Sequence, residues 1–246
     1  VVAASAPTLF YQCSVHAGMG GQANTNSTLG SSNFDGSIQT TVKVNSSAGF
    51  SIISHVGSGA VGTIGHGLGV KPDAIFFKNR TQAHGWQVYH SSIGATKHLI
   101  LNTNAAAGTA NNKFNDTEPT SSVITLKTAA SSNQSGQNII AYCFSEVAGY
   151  SKFGRYDGNN NADGTFVFTG FRPALVIFKR SSASNSWYMM DNKRNTFNLT
   201  NTYLRPDTSA AEGDAVNSTA DFLSNGFKFR GNGNDVNASG STYVYF

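Results

Sequence analysis

Few side chains in this sequence have types and spacings that could do chemistry. Asp157-Gly158-Asn159-Asn160-Asn161-Ala162-Asp163-Gly164 sets oxygen side chains at alternate positions, as a calcium loop does. Ala162 stands where such a loop needs glycine, and Phe168 where it needs a bidentate Glu. A hairpin or Asx turn therefore explains the stretch better, and no cofactor is expected. His66 in Gly65-His66-Gly67 and His90 at the end of Trp86-Gln87-Val88-Tyr89-His90 are imidazoles that could move protons near neutral pH. Hydrolysis of a glycan needs two carboxylates about 5 to 10 Å apart. Glu118, Glu146 and Glu212 are present, but nothing in their spacing pairs them. There is no Gly-x-Ser-x-Gly elbow and no glycine loop suited to phosphate. Trp86 and Trp187 could stack on sugars or pack in a core.

The elements that would position these groups are written twice. Pro72-Asp73-Ala74-Ile75-Phe76-Phe77-Lys78 returns as Pro173-Ala174-Leu175-Val176-Ile177-Phe178-Lys179, and Trp86 then falls on Trp187. Phe50-Ser51 answers Tyr150-Ser151. Ala141-Tyr142-Cys143-Phe144 answers Tyr243-Val244-Tyr245-Phe246, with Phe144 on Phe246. The two copies agree where a core would need it: Pro72 with Pro173, Phe77 with Phe178, Ile100 with Leu204. They disagree at polar positions, with His66 against Thr169-Gly170-Phe171 and His90 against Asp191. That pattern suits a modular structural or binding protein and argues against an enzyme. Both tryptophans are expected to be mostly buried and to take equivalent places in the two cores. If they face solvent, Trp86, Trp187, Tyr150 and Tyr203 are the candidates for glycan contact.

Of the 246 residues, 12% are charged and the net charge is +4, against roughly 25% charged in an average domain. Asn, Ser, Thr and Gly fill the space, which suits strands joined by tight turns. No helical apolar period runs over three turns. The sequence is therefore read as all-β, two tandem antiparallel β-sandwich (jelly-roll-like) modules related by internal duplication, residues 49–147 and 148–246. An Asn/Ser/Thr-rich linker, 23–48, precedes them, and residues 1–22 form the tail of an upstream β-domain. The strands expected in the first module are Phe50–Ser54, Ala74–Lys78, Trp86–His90, His98–Leu101, Val123–Lys127 and Ile139–Phe144. Those in the second are Tyr150–Arg155, Leu175–Lys179, Trp187–Met190, Thr202–Leu204, Phe227–Arg230 and Tyr243–Phe246, with Thr165–Phe168 as an extra. Lys78-Asn79-Arg80 and Lys179-Arg180 are expected as solvated strand ends, and Cys143 as a buried free thiol. There is no basic aromatic platform for nucleic acid and no apolar run long enough to cross a membrane. The start at Val1 and the strand-like end at Phe246 suggest a segment of a longer polypeptide.

Two resemblances add to this reading. Thr63-Ile64-Gly65-His66-Gly67-Leu68-Gly69-Val70-Lys71-Pro72-Asp73, Trp86-Gln87-Val88-Tyr89-His90 and Ile140-Ala141-Tyr142-Cys143-Phe144-Ser145-Glu146-Val147 resemble the virion structural and tail-fibre proteins of marine tailed phages. Gly149-Tyr150-Ser151-Lys152-Phe153-Gly154 and Phe168-Thr169-Gly170-Phe171-Arg172-Pro173 continue the likeness over residues 48 to 246. It implies a virion appendage facing outward and touching host glycans. Tyr11-Gln12-Cys13-Ser14-Val15-His16-Ala17-Gly18-Met19 resembles the last strand and copper loop of a cupredoxin. That likeness implies Cys13, His16 and Met19 as three copper ligands, but the second imidazole of such a site has no counterpart here.

The expected function is a non-enzymatic virion structural segment (tail fibre, spike or capsid decoration) on the virion surface. Its expected partners are other virion proteins, further copies of itself (a trimer by preference) and host surface glycans. Nucleic acid and membrane are not expected. The alternatives are a carbohydrate-binding adhesin module and, further off, a glycan depolymerase.

Overall fold

The computed structural model describes residues 9–12, 14–15, 20–23, 30–214 and 216–246. In chain order the first half holds strands β1 (Leu9–Gln12), β2 (Gly20–Ala23), β3 (Ser31–Asn33), β4 (Thr40–Asn45), β5 (Phe50–Val56), β6 (Gly62–Gly65), β7 (Ala74–Asn79), β8 (Gln87–His90), β9 (Lys97–Ile100), β10 (Gly108–Thr109), β11 (Val123–Leu126) and β12 (Asn138–Phe144). The second holds β13 (Gly154–Asp157), β14 (Phe166–Phe168), β15 (Leu175–Arg180), β16 (Tyr188–Asp191), β17 (Thr202–Tyr203), β18 (Gly213–Asp214), β19 (Ala220–Leu223), β20 (Gly226–Phe229) and β21 (Thr242–Tyr245). Among the described residues helix is confined to single turns, α1 (Asn111–Phe114), α2 (Ala130–Asn133) and α3 (Asn234–Asn237), and one 3-10 turn, Ser46–Ala48. The protein is all-β, built from antiparallel ladders.

Four sheets stack in layers around three cores. The pair β11-β6 faces the eight-stranded sheet β10-β9-β8-β7-β12-β5-β4-β3, and Ile53, Phe77, Tyr89, Ile124, Leu126 and Cys143 fill the space between them. Sheet β13-β21-β15-β16 faces β14-β20-β19 across Tyr156, Phe178, Tyr188, Phe227, Phe229 and Tyr243. The outer faces of the two large sheets then meet through Val88, Leu99, Trp187 and Val244. This third core explains why β12 and β21 lack the polar alternation of a sheet with one wet face.

The order β5-β12-β7-β8 in the first half recurs as β13-β21-β15-β16 in the second, and β6 with β11 recurs as β14 with β20. Four expectations change. Residues 23–48, expected as linker, supply β3 and β4, and β4 pairs along β5 with Val42 opposite Ile53. The β-branched run Thr40-Thr41-Val42-Lys43-Val44 suits that edge, and Thr40 and Val42 are buried there. Thr165–Phe168, expected as an extra, is β14 and holds the place of β6, whose glycines hid it. The second large sheet begins only at Gly154, because Val147 to Ser151 form a turn. The final strands also align differently. Ala141 pairs with Phe77 and Tyr245 with Phe178, so Phe246 takes the place of Tyr142 and not of Phe144. A slip of two residues leaves every side chain on its own face, so alternation alone could not detect it.

One buried asparagine in each half fastens the loops. Asn133, at the end of α2, donates from Nδ2 to the carbonyls of Ala60 (2.8 Å) and Lys127 (2.6 Å), and its Oδ1 accepts the Ser58 N–H (2.9 Å). Asn237, at the end of α3, donates to the carbonyls of Asn161 (2.9 Å) and Gly231 (3.0 Å), and its Oδ1 accepts the Asn159 N–H (2.9 Å). The backbone passes so close that a Cβ on Gly57 or Gly158 would lie 2.2 Å from the carbonyl oxygen of Gln134 or Ala238. Only glycine fits there.

Candidate functional site

The seam between the large sheets is the most distinctive surface in the molecule. Trp187 is fully buried in it, and its Nε1–H donates to the Ile100 carbonyl (3.1 Å). Backbone bonds tie the halves together: Ala107 N–H to Ser181 O (2.9 Å) and Asn185 N–H to Asn104 O (2.8 Å). His90 closes one end of the seam. Its Nε2 contacts the Tyr245 carbonyl (3.1 Å), its Nδ1 accepts the Ser92 N–H (3.1 Å), and its ring meets the edge of Phe246. Those bonds fix the neutral form with the proton on Nε2. Burial pulls its pKa down to about 4, outweighing the backbone bond to Tyr245 and the carboxylate of Asp73. Lys179, expected as a solvated strand end, is also buried here. Its ammonium donates to the carbonyls of Asn104 and Arg180, and burial lowers its pKa to about 8. The cause is long-range, because the first half covers the strand end that the sequence leaves open.

Beyond Phe246 the seam opens into a groove of about 320 Å³, lined among others by Phe76, Phe144, Tyr150, Phe153, Phe171 and Leu175. Phe153 bridges its walls, with ring centroids 6.3 Å from Phe144 and 6.2 Å from Phe246. Tyr150 is 69% and Leu175 49% exposed at the rim. The lining has one charged residue, Lys152, and no carboxylate or imidazole. Glu146 holds that ammonium at 2.6 Å. Such a groove can bind apolar or aromatic surface, and its one ammonium is taken up by Glu146.

The four glycan candidates are not brought together. Trp86 is mostly buried at the start of β8; its ring stacks on Tyr142 (centroids 6.3 Å) and lies 5.8 Å from the Lys78 ammonium. Trp187 holds the matching place in sequence but is covered, so it cannot touch a ligand. Trp187 is wholly buried and Trp86 mostly so, but only Trp187 lies in the core of the seam. Tyr150 sits at the groove rim. Tyr203 packs on Tyr188 (4.6 Å) under the Arg205 guanidinium (5.1 Å). Trp187→Ala is accordingly expected to lower stability by about 3–5 kcal/mol, and Trp86→Ala by about 1 kcal/mol, measured by guanidinium denaturation. Equal losses would show that the seam is not formed as described.

The remaining candidates have structural roles. His66 accepts the Leu68 N–H on Nδ1 (3.2 Å) and meets the Thr120 carbonyl through Nε2 (3.2 Å). Thr169 caps the corresponding turn through its hydroxyl. In place of His90, Asp191 accepts the N–H groups of Lys193 and Arg194. The halves therefore disagree at polar positions because different side chains cap the same turns. In the loop from Asp157 to Gly164, Asn159 and Asn161 form Asx turns, and the Asp163 carboxylate is held by Lys228 and Arg230. Glu118, Glu146 and Glu212 each pair with their own cation. Cys143 is a buried free thiol whose pKa burial pushes up to about 12. Cys13, His16 and Met19 lie outside the described residues. Among those described, no cluster of three His, Cys, Asp or Glu could hold a metal.

Fold and groove together define an all-β protein of stacked antiparallel sheets with an aromatic cleft at its internal seam. The chain belongs to the family described as a domain of unknown function, DUF7483, whose model matches residues 23–246. That span takes in β3 and β4 along with both sandwiches. Comparison with curated proteins found no match, and neither did comparison with solved structures.

Proposed function

We propose that this chain is a non-catalytic structural and contact segment of a virion surface appendage, made of two copies of one sandwich. The observation that carries this reading is the seam and its groove: a large aromatic surface, partly used to join the halves and partly open, on which His90 and Lys179 are buried in backbone hydrogen bonds and Lys152 is held by Glu146. Support for duplication comes from the repeated strand order and from matched details. His55 Nε2 meets the Ser132 carbonyl (3.1 Å), and Tyr156 OH donates to the Val236 carbonyl (2.9 Å) at the same point of the second half. The low charge and the Asn, Ser and Thr coat suit an outward-facing surface.

A second reading, a carbohydrate-binding adhesin, is favoured by one observation: the partly exposed Trp86 beside Tyr142 and Lys78, an aromatic face with a polar neighbour. One experiment separates the readings. The purified chain is incubated with a panel of bacterial surface polysaccharides, and both bound sugar and new reducing ends are measured. No new ends are expected. Binding that Trp86→Ala abolishes would move the assignment to the adhesin. Turnover that is lost on replacing one Asp or Glu pair would overturn the non-catalytic reading.

A further inference from the structure

The geometry points to the open edge of β13 as a self-association site, where two copies pair antiparallel about a two-fold axis with Arg155 of each opposite Asp157 of the other. This deepens the assembly reading above and rests on it only for biological purpose. In the first half, the outer edge of β5 is covered by β4, which the chain supplies from upstream. In the second half the equivalent edge belongs to β13, the end strand of its sheet. The segment just upstream is β12, already paired on both sides. Among the described residues no strand pairs with the outer edge of β13 as β4 does with that of β5.

The free groups follow from the ladder. Gly158 N–H donates to Ser241 O (2.9 Å), so with antiparallel alternation Gly154 and Tyr156 point their backbone groups at β21. Arg155 and Asp157 point theirs away. The Thr165 hydroxyl takes one lone pair of the Asp157 carbonyl (2.7 Å). The Arg155 N–H and C=O and the Asp157 N–H have no partner among the described residues. An exposed edge of this kind is a ready template for another strand.

Charge decides the occupant. Both side chains are exposed, and neither makes an ion pair among the described residues. Asp157 Oδ1 only accepts the Thr242 hydroxyl (2.8 Å). When β13 meets itself antiparallel with Tyr156 at the centre, Arg155 and Asp157 form hydrogen-bonded pairs in both directions and two opposite-charge pairs arise at once. The same edge centred on Arg155 sets two guanidinium groups against each other, so charge also fixes the register. At its N-terminal end the edge runs into Phe153 on the groove wall, which extends the buried surface. The proposed contact is two-fold, so the unit it would assemble is a dimer.

The test uses the whole chain and sedimentation velocity. Wild type is expected to dimerise. Arg155→Asp and Asp157→Arg each place like charges opposite one another and should each weaken dimerisation at least about tenfold. An equimolar mixture of the two single variants restores both opposite-charge pairs and should restore the dimer, as should the double variant carrying both changes. Thermal melting checks that each variant is folded, and the mixture keeps the test valid if one variant is weakened. A wild type that stays monomeric near 100 µM, a dimer indifferent to both substitutions, or a mixture that stays monomeric would each overturn the proposal. Such a failure leaves the polysaccharide experiment untouched, so the two readings fail separately.

Discussion

Asn237→Ala is expected to lower the free energy of unfolding by about 3–5 kcal/mol. The side chain is wholly buried: the two N–H groups of Nδ2 are shared among Asn161 O, Gly231 O and Asn159 Oδ1, and Oδ1 accepts the Asn159 N–H. Alanine strands the Asn161 and Gly231 carbonyls and the Asn159 N–H in a space closed by the near contact at Gly158. Each stranded buried group costs about 1–3 kcal/mol, offset in part where water can enter. Asn133→Ala should cost a similar amount in the first half, because it binds the same set of loop carbonyls. Asn232→Ala, on an exposed residue of the same loop region, serves as control and should stay within about 0.5 kcal/mol. Guanidinium denaturation gives the comparison. An Asn237 variant as stable as the control would mean that the loop is held by something else.

These asparagines also show where sequence reading stops. The strands of the core were legible because Ile, Phe and Tyr alternate or run unbroken, and most expected strands lie within a residue or two of their observed ends. Asn133 and Asn237 do not stand out by residue type in a chain crowded with Asn. A signal was nevertheless present: Asn133-Gln134-Ser135-Gly136 and Asn237-Ala238-Ser239-Gly240 share an Asn-x-Ser-Gly pattern just before the last strand of each half. The fates of Trp86 and Trp187 were not legible. The two sit in matched local sequences, and what separates them is how the outer faces of the large sheets are offset when they meet. Lys179 went the same way. The groove belongs to this class too, since its walls come from β7, β12, β15 and the turn before β13. The open edge of β13 becomes visible only once β4 is seen to cover β5.

Acid is expected to destabilise the protein well above the pH at which carboxylates titrate. Burial lowers the pKa of both His55 and His90 from 6.5 to about 4, outweighing in each case a backbone bond that favours the charged form. In the unfolded chain both imidazoles take up a proton as pH falls through about 6.5. In the folded chain they stay neutral until about pH 4. The unfolded state therefore binds more protons across that window, and stability falls as pH drops through it. The loss approaches about 1.4 kcal/mol per pH unit for each histidine, or about 3 kcal/mol each by pH 4. Above about pH 7 the full stability is present, and below about pH 4 these two groups add no further loss. The bonds explain why neither ring can accept its second proton easily. The free nitrogen of His55, Nδ1, is buried without a partner. In His90 the Nδ1 lone pair already holds the Ser92 N–H, so a proton there would set two donors face to face. Guanidinium denaturation at half-unit steps from pH 7.5 to 4 gives the slope. His55→Gln and His90→Gln should each reduce it by about one proton, even though both also lower stability at neutral pH. A wild-type stability that is flat from pH 6.5 to 4.5 would show that these imidazoles are solvated, and the tight seam at His90 would have to be given up with them.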